Sequence, residues 1–170
     1  MSGRIEIETE RLVLRRFVPE DIEWLAPMLG DPETLEHWEQ PLTHAESVRW
    51  IDANLERYAA DGYGLWVVEH DGEPVGDCGI VLRQVEGEPE VEVGYHLARR
   101  HWGNGYATEA AAASVERARE LGIDRVIALI LPANVRSQGV ATRVGLTPGR
   151  EVMHAGRTHV VWGRALTDRR

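Results

Sequence analysis

The feature that most constrains the fold is a strand pattern at residues 125–131, which is apolar at every position after Arg125. A run that does not alternate with polar residues is typical of a central strand buried on both faces. An alanine-rich helix pattern at 107–121 precedes it and closes at Gly122, a common helix stop. Another strand pattern lies before that helix, at 91–97. This order of elements predicts an α/β domain with a mixed sheet.

The rest of the chain adds elements to the same domain. Thr43 and Glu46 form a capping-box pattern before a helix that Gly62 ends. Asp71-Gly72 is a hairpin-turn pair between two apolar strands. The remaining predicted elements are strands at 11–17, 65–69, 74–82 and 158–166 and helices at 19–29 and 137–144. No repeat or linker composition interrupts them, so we expect a single domain, 1–170.

The composition excludes several classes of protein and site. Cys78 is the only cysteine, which rules out a disulfide framework and a cysteine-rich zinc site. The seven histidines show no paired ligand spacing, so no metal is expected. No apolar run approaches the ~20 residues that span a bilayer, and the N-terminus carries acids where a signal peptide needs an apolar stretch. We therefore expect a cytoplasmic protein without membrane contact.

The charge is unevenly divided along the chain. The net charge is −9, but residues 1–98 carry 22 acids and 7 arginines, whereas residues 99–170 carry 6 acids and 12 arginines. This division favours an anionic ligand in the C-terminal half and a cationic one in the N-terminal half. A solvated acidic surface is the alternative. The sequence pI near 5.3 and the lack of a basic stripe argue against nucleic acid as a partner.

The segment from Arg100 to Glu109 carries the clearest chemical signal. Gly103 and Gly105 allow a tight turn that aims backbone N–H groups into one concavity, and the following helix adds its positive N-terminus. This predicts a pyrophosphate-binding loop, although a plain strand-to-helix turn has the same pattern. Thr108 replaces the third glycine of a dinucleotide fingerprint, and the lysine of a P-loop is missing.

A second polar pair, Asn134 and Ser137, follows the buried strand. Two polar side chains three residues apart at a helix start lie on the same side of the chain, so both can face a ligand. Alternatively, one of them only caps the helix.

Together these segments resemble the GCN5-related N-acetyltransferases. Arg100-x-x-Gly103-x-Gly105 is similar to that family's acetyl-CoA signature, Gln/Arg-x-x-Gly-x-Gly/Ala. Further stretches resemble the branch that acetylates ribosomal-protein N-termini: 8–15, 94–97, 102–110 and 132–137. The resemblance implies a mixed, mostly antiparallel sheet with a splayed parallel strand pair, flanked by helices. It also implies transfer of an acetyl group from acetyl-CoA to a primary amine.

The resemblance assigns the cofactor-binding residues. Leu97 would pair through its backbone with the pantetheine arm, the loop amides with Arg100 and Thr108 would hold the pyrophosphate, and Asn134 would bind the pantetheine or acetyl region. Ser137 would lie near the thioester sulfur. The expected cofactor-binding set is Leu97, Arg100, Gly103, Asn104, Gly105, Tyr106, Ala107, Thr108, Asn134 and Ser137.

The catalytic residues follow from the same resemblance, with alternatives. Glu92 is the expected base, Glu90 shares its side of the strand, and His96 is a possible relay. Many relatives place a tyrosine acid where this chain has Ala141, so Ser137 is the remaining candidate to protonate the leaving thiolate. Solvent can replace either group, because a thiol with a pKa near 8.5 leaves readily.

The acceptor is expected at a loop between the first two helices, where Glu36, Trp38 and Glu39 are suited to binding a cation. The expected acceptor is a protein N-terminus or a small cationic amine, and the protein could be a homodimer. Two other functions stay open. One is a non-catalytic acyl-CoA-binding sensor or scaffold, and the other is transfer of another acyl group such as succinyl.

Overall fold

The structure is a computed structural model that describes residues 2–167, so residue 1 and residues 168–170 of the predicted domain lie outside the described residues. Within the described residues, eight strands make one sheet. The strands are β1 Ile5–Glu8, β2 Leu12–Arg15, β3 Leu65–His70, β4 Glu73–Val85, β5 Glu88–Leu97, β6 Arg125–Ile130, β7 Thr147–His154 and β8 Arg157–Ala165. The α-helices are α1 Ile22–Leu29, α2 His44–Ala60, α3 Tyr106–Glu120 and α4 Val135–Arg143. None of the helices within residues 2–167 is both long and apolar enough to cross a bilayer.

The sheet has the order β1-β2-β3-β4-β5-β6-β8-β7. Neighbouring strands are antiparallel except for β5 and β6, which are parallel and pair in register only at Glu92 and Ile127. Beyond this pair the two strands diverge, so β5 continues to Leu97 without β6 beside it. The predicted mixed, mostly antiparallel sheet with a splayed parallel pair is confirmed.

Local signals set most of the turns and helix ends. The predicted hairpin turn is present, with φ of 50° at Asp71 and 78° at Gly72, the left-handed pair that a tight two-residue hairpin requires. The capping box before α2 is also present, because Thr43 N–H donates to the Glu46 carboxylate and Glu46 N–H donates to the Thr43 hydroxyl. Gly122 follows α3 with φ of 78°, as a helix-ending glycine does.

Two strands were not predicted, and both are sheet edges. β1 contains a register shift between Ile5 and Ile7, and β7 contains one between Pro148 and Glu151. Proline and irregular pairing are tolerated at an edge, where one side of the strand has no partner. The sequence of β7 therefore lacks regular alternation, whereas β1 alternates but is only four residues long.

The helices cover both faces of the sheet. Successive residues of a strand point to opposite faces, and on β4 the Asp77 carboxylate accepts a hydrogen bond from Trp50 of α2, while the Cys78 thiol contacts Ser114 of α3. α2 and α3 therefore lie on opposite faces. Each side of the sheet near the end of β5 thus faces a different helical layer.

Candidate active site

One cavity of about 880 Å³ lies at the end of β5. It is bounded by the loop after β5, the start of α3, α4, and the segment between α1 and α2. The cavity collects most of the predicted site residues: Glu36, Trp38, Leu97, Gly103, Gly105, Tyr106, Ala107, Thr108, Asn134 and Ser137. A cofactor and an acceptor can therefore bind next to each other in one connected space.

The glycine loop opens its backbone toward this cavity. Gly103 and Gly105 have φ of 82° and 79°, the left-handed region that favours glycine, and a Cβ on Gly103 would meet no atom within 4 Å. Gly105 caps α3 with no side-chain hydrogen bond, and the amide of Glu109 donates to the Gly105 carbonyl. The N–H groups of the first turn are therefore free to bind an anion. The loop fits the pyrophosphate of acetyl-CoA.

Arg11 and Glu109 hold this loop in place from the wall of the cavity, and the sequence analysis missed this pair. The Arg11 Nε donates to Glu109 at 2.7 Å, and its Nη1 donates to the Asn104 carbonyl at 2.8 Å. Hydrogen bonds from the Thr9 hydroxyl and from Arg11 lower the pKa of Glu109 although burial opposes them. No local signal predicts this contact, because Arg11 lies 98 positions before Glu109.

Trp102 ties the loop to the end of β5. Its indole Nε1 donates to the Leu97 carbonyl at 2.9 Å. The guanidinium groups of Arg99 and Arg136 lie 4.6 and 4.7 Å from the ring centroid. Trp102 therefore positions two cations beside the loop by cation–π contact.

Several predicted residues do not line the cavity. Arg100 instead lines a second cavity of about 630 Å³. Asn104 donates from its side chain to the His101 carbonyl, and Glu39 is exposed. The arginines that line the first cavity are Arg11, Arg136 and Arg143, and its histidines are His37, His96 and His101. Within residues 2–167, no cluster of three or more His, Cys, Asp or Glu side chains is arranged to hold a metal ion.

Asn134 and Ser137 meet Tyr95, which the sequence analysis did not select. The Asn134 side chain accepts from the Ser137 N–H at 3.1 Å, so the predicted helix-capping alternative describes one of its contacts. The Tyr95 hydroxyl donates to the Ser137 carbonyl and accepts from the Ser137 hydroxyl, at 2.8 and 2.9 Å. Burial raises the pKa of Tyr95, so its phenol stays protonated at neutral pH. A strand tyrosine thus stands beside the serine that was expected near the thioester.

The two predicted carboxylate bases of β5 are both paired with arginine. One oxygen of Glu92 accepts from the Nε and Nη2 of Arg83, at 3.1 and 3.0 Å. Glu90 lies 3.6 Å from the Arg125 guanidinium. Neither carboxylate lines the cavity. The catalytic role of Glu92 stays a prediction.

His96 lies on the cavity wall at the acceptor side. Its Nδ1 is 2.7 Å from Asp77, whose side chain is fully buried. The rings of Trp38 and Trp50 lie 5.7 and 5.2 Å from the His96 ring, both edge-on. The arrangement combines an imidazole, a buried carboxylate and two aromatic walls, which suits a site that binds a cation and accepts a proton.

Known proteins share both sequence and fold with this chain. YkkB of Bacillus subtilis (strain 168), described as an uncharacterized protein, is 33% identical over 98% of this chain and 95% of its own. The uncharacterized N-acetyltransferase p20 of Bacillus licheniformis is 34% identical over 76% of this chain and 75% of its own. Relatives this similar and this completely covered share a family.

Solved structures agree with the fold. The acetyltransferase from Agrobacterium tumefaciens str. C58 has a TM-score of 0.82 and 26% identity, with 93% of this chain and 92% of that one covered. RimL, the ribosomal L7/L12 alpha-N-protein acetyltransferase solved with coenzyme A, has a TM-score of 0.79, covering 95% of this chain and 98% of that one. Because its identity is only 17%, this second likeness extends to the fold alone.

The family assignment rests on a match over most of the chain. Residues 11–147 match the family model described as "Acetyltransferase (GNAT) domain". This range includes the glycine loop, Asn134 and Ser137, which form the cofactor side of the cavity. The expected acetyl-CoA-dependent N-acetyltransferase is confirmed at the level of the family, and the chain belongs to the GNAT acetyltransferases.

Proposed function

We propose that this protein transfers the acetyl group of acetyl-CoA to a cationic primary amine by direct attack, with both substrates bound together. The observation that carries the proposal is that one cavity has free helix N–H groups at one end and Glu36, Trp38 and His96 at the other. An anionic cofactor suits the first end. A cationic amine suits the second by charge and cation–π attraction.

On the cofactor side, the backbone N–H groups of residues 103–108 bind the pyrophosphate, and Arg11 and Arg136 add positive charge. Asn134 uses its oxygen to cap α4, so its Nδ2 is the group that donates to the pantetheine or acetyl region. Leu97 lies at the end of β5, and its carbonyl oxygen already accepts a hydrogen bond from the Trp102 indole. When bound, acetyl-CoA supplies an electrophilic thioester carbonyl.

On the acceptor side, Trp38 and Glu36 receive the cation. Trp38 has 36% of its surface exposed, which leaves its ring available for an ammonium group. Glu39 does not line the cavity, but its exposed carboxylate adds negative charge to the entrance. A protein N-terminus and a small amine both present this chemistry.

Ser137 protonates the leaving thiolate, because this chain has Ala141 where many relatives have a tyrosine that acts as the acid. Its hydroxyl donates to the phenol of Tyr95, and the two groups form a short chain of hydroxyls. The phenol proton of Tyr95 is held by the Ser137 carbonyl. Because a thiol near pKa 8.5 leaves readily, we expect Ser137→Ala to lower kcat less than loss of the base does.

The test is release of free CoA thiol from acetyl-CoA in the presence of different amines. The panel contains peptides with free N-termini, a linear polyamine and an aminoglycoside, and the matched control is each peptide with its N-terminus already acetylated. We expect thiol release only with free amines. Binding of acetyl-CoA without turnover across the panel would instead indicate an acyl-CoA sensor, and faster turnover of succinyl-CoA would indicate another acyl transferase.

The branch of the family, the cellular location and the oligomeric state are part of the same proposal. Motif similarity supports the branch that acetylates ribosomal-protein N-termini. A cytoplasmic location and a single domain stay predictions. If a ribosomal-protein N-terminal peptide is a poorer acceptor than the polyamine, the branch assignment is wrong. The homodimer stays a prediction, which light scattering of the purified protein tests.

A further inference from the structure

We propose that the Asp77–His96 pair takes the proton from the acceptor amine, with His96 as the proton acceptor and Asp77 as its positioning residue. This inference rests on the proposed function and assigns the proton transfer to residues of β4 and β5. It gives His96 the role that the sequence interpretation gave to Glu92.

Asp77 has the position and the hydrogen bonds needed to orient an imidazole ring. Its side chain is fully buried, and each oxygen has one donor. The indole Nε1 of Trp50 donates to Oδ2 at 2.8 Å, and the Nδ1 of His96 lies 2.7 Å from Oδ1. An ionised carboxylate only accepts hydrogen bonds. It therefore keeps the proton of a neutral His96 on Nδ1 and leaves Nε2 as the free acceptor.

The ring of His96 is partly open to the acceptor end of the cavity. Its side chain is 21% exposed, and Trp38 and Trp50 enclose it on two sides. Gly94, two residues earlier on the same side of β5, has no side chain to fill the adjoining space. A Cβ there would lie 3.8 Å from His96 Cε1 and 3.3 Å from Leu65 Cδ2. An amine that enters beside Trp38 can thus reach the imidazole.

The charges around His96 favour its role. Burial alone would lower its pKa, but attraction to Asp77 and a hydrogen bond from the ring to Asp77 raise it above the usual value, with a smaller contribution from Glu92. Arg83 opposes this increase. Glu36 and His37 face the same space from the loop, and Arg57 of α2 lies near Glu92 and Arg83. A base with a raised pKa accepts a proton more readily.

The transfer balances without a further reactant. The bound ammonium first gives one proton to Nε2 of His96, which frees the lone pair of the amine, and Asp77 balances the resulting imidazolium. The lone pair forms the N–C bond at the thioester carbonyl carbon, and the C–S bond breaks with its electron pair on sulfur. The nitrogen then loses its second proton to solvent, and the thiolate gains one from solvent, directly or through the Ser137 hydroxyl, which is reprotonated in turn. His96 returns its own proton to solvent.

Glu92 is less well placed for this step. It lies on the same side of β5 as His96, but the Arg83 guanidinium holds its carboxylate and it does not line the cavity. A carboxylate oxygen that already accepts from a guanidinium is less available to contact an amine. We therefore expect substitution of His96 to lower kcat strongly and substitution of Glu92 to lower it little.

The first experiment compares His96→Gln with Glu92→Gln, with His44→Gln as the matched control. His44 is an exposed histidine at the start of α2 that does not line the cavity. With the best acceptor of the panel, we expect His96→Gln to lower kcat by roughly 10²–10⁴ and Glu92→Gln to lower it by less than about tenfold. His44→Gln keeps the wild-type rate. Stabilisation by acetyl-CoA in a thermal shift shows that each variant is folded and binds the cofactor.

The second experiment tests Asp77 through the tautomer and the pH profile. In Asp77→Asn the amide donates to Nδ1, so the His96 proton moves to Nε2. Long-range ¹H–¹⁵N correlation of the histidine rings detects this change without turnover, and His96→Gln identifies the resonance. We also expect the acidic limb of kcat/KM to move to lower pH in Asp77→Asn, because the carboxylate no longer raises the pKa of His96.

The outcomes separate the two proposals. A wild-type protein that releases no thiol with any amine contradicts the proposed function, and this inference with it. Wild-type turnover that survives His96→Gln contradicts this inference alone, as does a larger loss in Glu92→Gln than in His96→Gln. A wild-type His96 that carries its proton on Nε2 also overturns it.

Discussion

Asp21, just before α1, is a carboxylate almost removed from water, with 4% of its surface exposed. Arg15 donates to both of its oxygens, at 2.9 and 2.8 Å, and the Val18 N–H and the Trp24 indole add one hydrogen bond each. Burial alone would raise the pKa of Asp21, but these donors hold it below its usual value. The pair connects β2 to the start of α1.

We expect Asp21→Asn to lower the free energy of unfolding by about 2 kcal/mol, because the buried Arg15 loses one of its two carboxylate partners and keeps only Glu69. Urea denaturation measures the difference. Asp52→Asn, on an exposed position of α2, is the control and should change stability by less than about 0.5 kcal/mol. Equal losses in the free energy of unfolding in both variants would show that the buried Arg15–Asp21 pair does not stabilise this fold.

The same residue gives stability a pH dependence. Its pKa is lower in the folded than in the unfolded chain, so its contribution is full above the unfolded value, about 3.9, and is lost as the pH falls through the folded one. Asp21→Asn should therefore flatten the acid limb of the stability curve below about pH 4. If the stability of Asp21→Asn falls as steeply with decreasing pH as that of the wild type, other carboxylates cause the acid unfolding.

At the scale of elements, the N-terminal turn of α3 is anchored by side chains but has no capping side chain. Arg11 and Glu109, which line the cavity, fix this turn, while the N-cap, Gly105, leaves the first N–H groups without a side-chain acceptor. A helix start held rigidly but left uncapped is suited to receiving an external anion.

Gly105→Glu tests this helix start against Gly122→Glu at the other end of α3. Both glycines have φ near 80°, so both variants carry the same backbone strain, but only Gly105 lines the cavity. Acetyl-CoA at 100 times its Kd should stabilise the wild type by about 2.7 kcal/mol. We expect Gly122→Glu to keep this stabilisation, measured by thermal shift, and a folded Gly105→Glu to lose it. An unchanged shift in Gly105→Glu would place the phosphates elsewhere.

At the scale of the whole molecule, the divergence of β5 from β6 leaves one side of β5 without a strand partner. Pairing in register stops at Glu92 and Ile127. Apart from the Leu97 carbonyl, which accepts from Trp102, the backbone groups of residues 93–97 that face β6 are therefore available to a ligand. The pantetheine arm is a chain of amides that can take the place of a strand.

Hydrogen exchange monitored by mass spectrometry can follow this replacement. We expect peptides covering residues 93–97 to gain protection when acetyl-CoA binds, whereas peptides from the interior of β3, which is paired on both sides, should not change. Protection of the glycine loop without protection of β5 would show that the pantetheine arm does not pair with this strand.

The sequence predicted what short-range signals encode. The glycine loop, the capping box and the turn at Asp71-Gly72 each depend on residues within a few positions of one another. Asp77–His96, Tyr95–Ser137 and Arg11–Glu109 are separated by 19, 42 and 98 positions. The sheet brings these partners together, and no local pattern specifies them.

One contact described by the structure joins the two substrate regions directly. The Thr34 hydroxyl, in the segment that leads to Trp38, accepts from the Arg99 N–H at 3.0 Å, and Arg99 leads into the glycine loop. A ligand that shifts Arg99 therefore also acts on the segment that carries Trp38. Because coupling between two binding equilibria is reciprocal, any gain in acceptor affinity caused by acetyl-CoA must equal the gain in acetyl-CoA affinity caused by the acceptor. This hydrogen bond gives the enzyme a physical basis for coupling the binding of acetyl-CoA to the binding of the acceptor.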